Sequence, residues 1–183
     1  MGRETQRRLA LLAIVGALAA SWTIALHPPS VTGVALASST HAAAPVKDVR
    51  VRACPFPTAL RSAFETAARD TSLPPALLYA VAKVESSLRQ DAESSAGARG
   101  LLQVMPATAD ALDLDIDEPS ANVLAGARYL RLLFDRFNSS DVALAAYNAG
   151  PTAVARAGGA PSIGVQRYVS NVNLAWHSVA GCR

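Results

Sequence analysis

Leu73-Pro74-Pro75-Ala76-Leu77-Leu78-Tyr79-Ala80-Val81-Ala82-Lys83-Val84-Glu85-Ser86-Ser87-Leu88 holds the decisive pattern of this chain. The prolines stop one element and start another, since proline lacks a backbone N–H and suits the first turn of a helix. Over residues 76–88, Leu77, Val81, Val84 and Leu88 fall on one helical stripe. Leu78, Ala82 and Glu85 fall on the adjacent row at i, i+4 and i+7. A carboxylate therefore ends an otherwise apolar row, close to the C-terminal end of a helix. Apolar walls disfavour the charged form of a carboxyl and raise its pKa. The partial negative charge of a helix C-terminus pushes the same way. Taken alone, a surface carboxylate at a helix end is the commoner explanation of such a residue.

The period stays helical on both sides of this segment. Pro57 suits the first turn of a helix running to about Arg69. Pro106 opens another, and Ser120 is placed to cap a long helix whose Val123, Ala127, Leu130, Phe134 and Phe137 face one way. Ser140 or Asp141 begins an Ala-rich helix that stops at Gly150-Pro151. A short helix to Gly158-Gly159 follows, and the last helix carries Val165, Val169, Val172, Trp176 and Val179 in register. Alternating strand patterns are almost absent, so the expected fold class is mainly α. The roughly 130 residues after Cys54 suffice for one domain with one core, and there is no internal repeat.

The ends of the chain locate the chemistry. Arg3, Arg7 and Arg8 precede an uncharged stretch over residues 9–26, and Ala35-Leu36-Ala37 offers a cleavage site. Residues 1–37 thus read as a signal peptide or an N-terminal membrane anchor. Residues 38–53, rich in Pro, Ala and Ser, read as a linker, and residues 54–183 as the domain. The full chain has 17 Lys+Arg against 14 Asp+Glu. Without residues 1–37 the balance is nearly even, which removes the electrostatic case for nucleic acid. Cys54 and Cys182 bracket the domain; in an exported protein such a pair reads as a disulfide, the alternative being two buried thiols. No metal site is expected, because His27 and His41 lie outside the domain and His177 stands alone. The run Asp113-Leu114-Asp115-Ile116-Asp117 lacks the glycine and the final glutamate of a calcium loop, whose positions hold Glu118 and Leu124.

Three patches then come in a fixed order. Val84-Glu85-Ser86 is followed by Gly100-Leu101-Leu102-Gln103-Val104-Met105-Pro106, and later by Ala145-Ala146-Tyr147-Asn148-Ala149-Gly150-Pro151, with a lesser segment, Ser94-Ser95-Ala96-Gly97-Ala98, between the first two. Together they resemble the signature of the family 1, soluble-type lytic transglycosylases, which cleave the glycan strands of bacterial peptidoglycan. The resemblance covers roughly residues 54–182. It implies the lysozyme-like fold in its goose-lysozyme variant, as a single domain.

It also implies a role for Glu85 as the catalytic residue, acting without cofactor. In this family one glutamate is understood to protonate the oxygen between N-acetylmuramic acid and N-acetylglucosamine. The same group then takes the proton of the muramic C6 hydroxyl, which closes to a 1,6-anhydro product. Accordingly no second catalytic carboxylate is evident: Asp91 and Glu93 follow in a polar loop, and neither matches a catalytic position of the family. Expected substrate-binding residues are Ser94, Gln103, Met105, Tyr147, Asn148 and Tyr168. Gln103 both donates and accepts, which suits acetamido and hydroxyl groups; Met105 offers a soft apolar wall. The Tyr147-Asn148 segment is expected to border the cleft and to hydrogen-bond around the glutamate. Tyr168 resembles the tyrosine of the family's C-terminal motif, whose hydroxyl reaches the acid, although Gly164-Val165 stand where the family has Glu-Thr. Leu102 replaces the usual Met. For Met105, Tyr147 and Tyr168, plain core packing is the competing explanation.

The expected partner is peptidoglycan, with membrane contact only through an N-terminal anchor and with the periplasm or cell envelope as location. Small members serve secretion systems or pili, but no residue here names such a partner. Three other functions share the motifs: a lysozyme-type muramidase using water, a non-catalytic glycan-binding module, and a structural component of an envelope machine.

Overall fold

The computed structural model describes residues 52–183; the expected leader and nearly all of the expected linker lie outside the described residues. Among the described residues there are seven α-helices, α1 (Arg61–Thr71), α2 (Pro75–Ser86), α3 (Pro106–Leu112), α4 (Pro119–Phe137), α5 (Ser140–Ala149), α6 (Pro151–Ala157) and α7 (Ile163–Ser178). A 3-10 turn, Thr58–Leu60, precedes α1. No strand forms among them; the loop before α3 has only isolated antiparallel bridges, Glu93 to Arg99 and Arg99 to Val104. No helix of these residues is long and apolar enough to cross a membrane.

Proline sets the starts. Pro75, Pro106, Pro119 and Pro151 each stand at the beginning of a helix, where the missing N–H has no partner to lose. The starts of α5 and α7 are capped by hydroxyls: Ser139 Oγ accepts from the Val142 N–H at 3.5 Å and Ser162 Oγ from the Val165 N–H at 3.3 Å. Two expectations shift here. Ser120 does not cap α4, because Pro119 takes the first helical position and leaves Ser120 inside the turn. The helix expected from Pro57 begins instead with the 3-10 turn, closed by Leu60 N–H to Pro57 O at 2.9 Å.

α2 also ends earlier than residue 88. Ser87 and Leu88 both adopt left-handed backbone, at φ 56° and 64°. The Leu88 N–H reaches Ala82 O and the Ser87 N–H reaches Lys83 O, each at 3.2 Å. This pair of bonds satisfies carbonyls that the helix leaves open. The stop is therefore sharp, and Glu85 is the last residue but one of α2.

α1 packs on α4, α2 on α7, and α5 on α4, α6 and α7. Leu77, Leu78 and Val81 of α2 are fully buried, each stabilising the fold by about 1.5–3 kcal/mol through the area removed from water. Phe64, Val123, Leu130, Leu144 and Val172 join them from four other helices in one continuous core. Cys54 and Cys182 form a disulfide with Cα atoms 4.8 Å apart, spanning a sequence separation of 128. Next to it the Arg183 N–H donates to Arg52 O at 3.0 Å.

Candidate active site

Glu85 is partly exposed at the end of a buried row, and it faces a second helix. From α7, the Tyr168 hydroxyl donates to Glu85 Oε1 at 2.7 Å. Tyr168 itself is only 8% exposed, so its hydroxyl has little competing water. The Glu85 carboxyl is raised from 4.5 to about 7: burial pushes it up, and the Tyr168 hydrogen bond opposes part of that rise. The Tyr168 phenol is pushed well above its usual value, first by burial and then by the charge of Glu85. It therefore remains a neutral donor wherever the carboxyl titrates. One carboxyl oxygen is held, and the other is left to carry a proton.

The loop between α2 and α3 is tied to the residue that follows Glu85. Ser86 Oγ donates to Leu101 O at 2.8 Å and lies 3.1 Å from Ala82 O. The Tyr147 hydroxyl, from α5, donates to Leu102 O at 2.7 Å. Its phenol is also pushed well up, by burial and then by the charge of Glu85, which marks the two groups as neighbours. Asn122, on α4, is 1% exposed; its Oδ1 accepts from the Leu102 N–H at 3.0 Å. Neither Ser86 nor Asn122 stands among the residues expected to bind substrate. Ser86 was visible only as the neighbour of Glu85, and Asn122 as one polar residue beside an apolar stripe.

The remaining expected residues divide. Gln103, at φ 46°, spends both amide hydrogens on the carbonyls of Ala92 and Gly100, at 3.0 Å each. Its expected donor role is thereby corrected: only Oε1 is left to meet a ligand. Ser94 Oγ accepts from the Ala98 N–H at 2.9 Å, while the Ser94 N–H donates to Ala98 O at 2.9 Å. The serine thus braces its own turn and keeps one hydroxyl proton to offer. Met105 is 42% exposed where the loop enters α3. Tyr147 bonds to the loop rather than to the glutamate, and Asn148 is exposed at the end of α5 with no side-chain hydrogen bond among the described residues. Of the hydrogen bonds expected around the glutamate, Tyr147 makes one, to the Leu102 carbonyl, and Asn148 makes none among the described residues.

The acidic run near α4 has a structural explanation. Asp117 forms a two-pronged pair with Arg99 at 2.7 and 2.9 Å, and Asp115 Oδ1 accepts from the Asp117 N–H at 3.0 Å. Two cavities of about 760 and 510 Å³ lie elsewhere. The larger is lined by Leu73, Pro74, Pro75, Trp176 and Cys182 at the opposite end of α2 from Glu85. Neither cavity is lined by Glu85, Tyr147 or Tyr168, so volume alone is a poor guide to the chemistry.

Comparison with known proteins adds the lineage. The model of the family described as "Transglycosylase SLT domain" matches residues 62–164. The "Transglycosylase" of Enterobacteria phage PRD1 is 36% identical over 104 residues, covering 56% of this chain and 39% of that protein. The "Soluble lytic murein transglycosylase" of Escherichia coli K12 is 30% identical over 108 residues, covering 52% of this chain and 17% of that protein. Among solved structures, the 70 kDa soluble lytic transglycosylase of Escherichia coli superposes with a TM-score of 0.58 at 26% identity, over 68% of this chain and 24% of that one. An inactive glutamate-to-glutamine mutant of the lytic transglycosylase Slt from Pseudomonas aeruginosa gives 0.57 at 26% identity, over 70% of this chain and 25% of that one. This chain therefore spans well under half the length of each of these relatives. The mainly α, lysozyme-like fold of the lytic transglycosylases is shared. Tyr168 lies just past the matched segment, so its place against Glu85 comes from the geometry of α7. With more than half its length matched, the chain belongs to the transglycosylase SLT domain family.

Proposed function

We propose that this domain is a lytic transglycosylase that cleaves the β-1,4 bond between N-acetylmuramic acid and N-acetylglucosamine in peptidoglycan. The observation that carries the reading is the Glu85 carboxyl, raised to about 7 by burial and gripped at Oε1 by Tyr168. A carboxylic acid still protonated near neutral pH is suited to protonate a leaving oxygen. The family membership and the names of the relatives support the substrate class.

In the proposed reaction the free oxygen of the Glu85 carboxyl gives its proton to the bridging oxygen. The C1–O bond breaks, N-acetylglucosamine leaves as the alcohol, and positive charge builds at C1 of the muramic sugar. The substrate's own acetamido oxygen stabilises that charge. Glu85, now a carboxylate, takes the proton of the C6 hydroxyl as O6 bonds to C1. The carboxyl is restored and no water is consumed. Intramolecular closure carries the large rate advantage of a reactant already in place. Ser94, Gln103, Met105, Tyr147, Asn148 and Tyr168 are assigned to holding the glycan and the carboxyl. Oε1 of Gln103 selects donor groups such as an acetamido N–H. The relatives' names place such enzymes on murein, in soluble and membrane-bound forms. We place this one in the cell envelope, where the Cys54–Cys182 disulfide persists.

Mass spectrometry of peptidoglycan digested by the protein tests the reaction. Muramic ends lighter by one water, in the anhydro form, support it. Reducing ends would assign a hydrolase instead, and digestion unchanged by Glu85→Gln would remove Glu85 from the chemistry.

A further inference from the structure

The peptide group between Leu101 and Leu102 is held at both of its polar ends. Its carbonyl oxygen, on Leu101, accepts from Ser86 Oγ at 2.8 Å. Its N–H, on Leu102, donates to Asn122 Oδ1 at 3.0 Å. The next carbonyl, on Leu102, accepts from the Tyr147 hydroxyl at 2.7 Å. Side chains of α2, α4 and α5 thus converge on one dipeptide, and two of the three belong to the immediate surroundings of Glu85.

Asn122 does more than meet the Leu102 N–H. Its Nδ2 donates to Arg99 O at 2.9 Å and to Ile116 O at 3.1 Å. Three of its four hydrogen-bonding positions are filled, all by backbone of the loops on either side of α3. The fit is close: a Cβ at Gly100, whose φ is 74°, would stand 2.3 Å from Asn122 Nδ2. One turn further along α4, a Cβ at Gly126 would stand 2.5 Å from Leu102 Cβ and 2.9 Å from the Tyr147 hydroxyl oxygen. Residues 122 and 126 share a helix face, so α4 forms a ledge, polar at one end and bare at the other, on which the loop and Tyr147 sit.

We infer that Asn122 is a positioning residue for the Glu85 site: it fixes the Leu101–Leu102 peptide group, which in turn fixes Ser86 and Tyr147 beside the carboxyl. The inference rests on the reading of Glu85 proposed above. Asn122 touches neither substrate nor the reacting carboxyl. Its action passes through the loop, and its loss frees the loop to lift and let water reach Glu85. An apolar residue of similar size would fill the space but leave the Leu102 N–H and the Arg99 and Ile116 carbonyls unpaired in the interior.

The test is Asn122→Ala in the whole protein, with three readouts: circular dichroism for the fold, NMR titration of the Glu85 side-chain carboxyl, and turnover of isolated peptidoglycan. The expected variant is folded, with the Glu85 midpoint lowered by roughly one pH unit or more, towards that of a solvated carboxyl. Its kcat falls at least about tenfold with KM little changed, as for a residue acting on the reacting geometry. A folded variant that keeps the Glu85 midpoint within about 0.3 pH unit and kcat within about twofold of the parent overturns the inference. If the variant does not fold, amide exchange in the unaltered protein decides. A Leu102 N–H protected about 100-fold or more relative to the exposed Ser95 N–H supports the clamp, and exchange at the Ser95 rate overturns it. Titration and exchange need no turnover. A protein that leaves peptidoglycan intact would defeat the proposed function while these two measurements still judge Asn122.

Discussion

Replacing Glu85 by glutamine is expected to stabilise the protein above neutral pH and to do almost nothing below pH 4.5. The carboxyl titrates at 4.5 when solvated and at about 7 in the fold. Between those values the folded state holds a proton that the unfolded state has lost, so stability falls as pH rises through the window. At pH 8 both states are ionised, and the folded one holds a desolvated charge. The cumulative cost is about 3 kcal/mol, at 1.36 kcal/mol for each factor of ten in the proton equilibrium. Glutamine has nearly the same shape, still accepts from Tyr168, and carries no charge to desolvate. Urea unfolding of both proteins at pH 4, 5, 6, 7 and 8 isolates this contribution, because every other titrating group cancels in the difference. The stability difference should grow by about 3 kcal/mol across the series, with its steepest rise between pH 5 and 7. A difference that stays flat within about 0.5 kcal/mol would refute the claim that the Glu85 carboxyl is desolvated. That claim supports the acid role.

Further outcomes follow from the same geometry. Peptidoglycan turnover should fall about tenfold per pH unit above pH 7 as the Glu85 proton is lost, a limb that a pH–rate profile would show. Tyr168→Phe removes the bond that favours the charged carboxyl, so that limb should move to higher pH while kcat drops by about tenfold. Gly126→Ala drives a methyl to within 3 Å of Leu102 and Tyr147; chemical unfolding should record a loss of about 1–3 kcal/mol. Reduction of the disulfide should cost about 4–5 kcal/mol on the loop-entropy account, read as a lowered melting temperature with reductant present.

Much of the helical order was legible because its punctuation is local. Pro75, Pro106 and Gly150-Pro151 mark boundaries within one or two residues, and the Leu77–Val81 stripe states which face is buried. Ser120 misled because Pro119, its neighbour, is the stronger starter. The stop after Ser86 was hidden because Ser87 and Leu88 have no chemistry that announces a left-handed backbone. The site was legible where residue type and position suffice: Glu85 at a helix end is a matter of spacing. Tyr168, named through the resemblance alone, lies 83 positions away and meets Glu85 only when α7 packs on α2. Asn122 escaped notice for a similar reason. Its partners are backbone groups 6, 20 and 23 positions distant, and no period in a sequence encodes a contact with a loop. Gln103 shows the converse, since its residue type suggested donation that the fold has already used up.

The Cys54–Cys182 bridge has a mechanical consequence. It joins the chain just inside Arg52 and Arg183, whose backbones already meet. Tension applied between those two residues runs through one covalent link and bypasses every helix enclosed between them. Load applied between Arg52 and Arg183 therefore leaves the carboxyl and its tyrosine undisturbed until the sulfur link is cut; after that, the same pull would peel α7, and Tyr168 with it, away from α2.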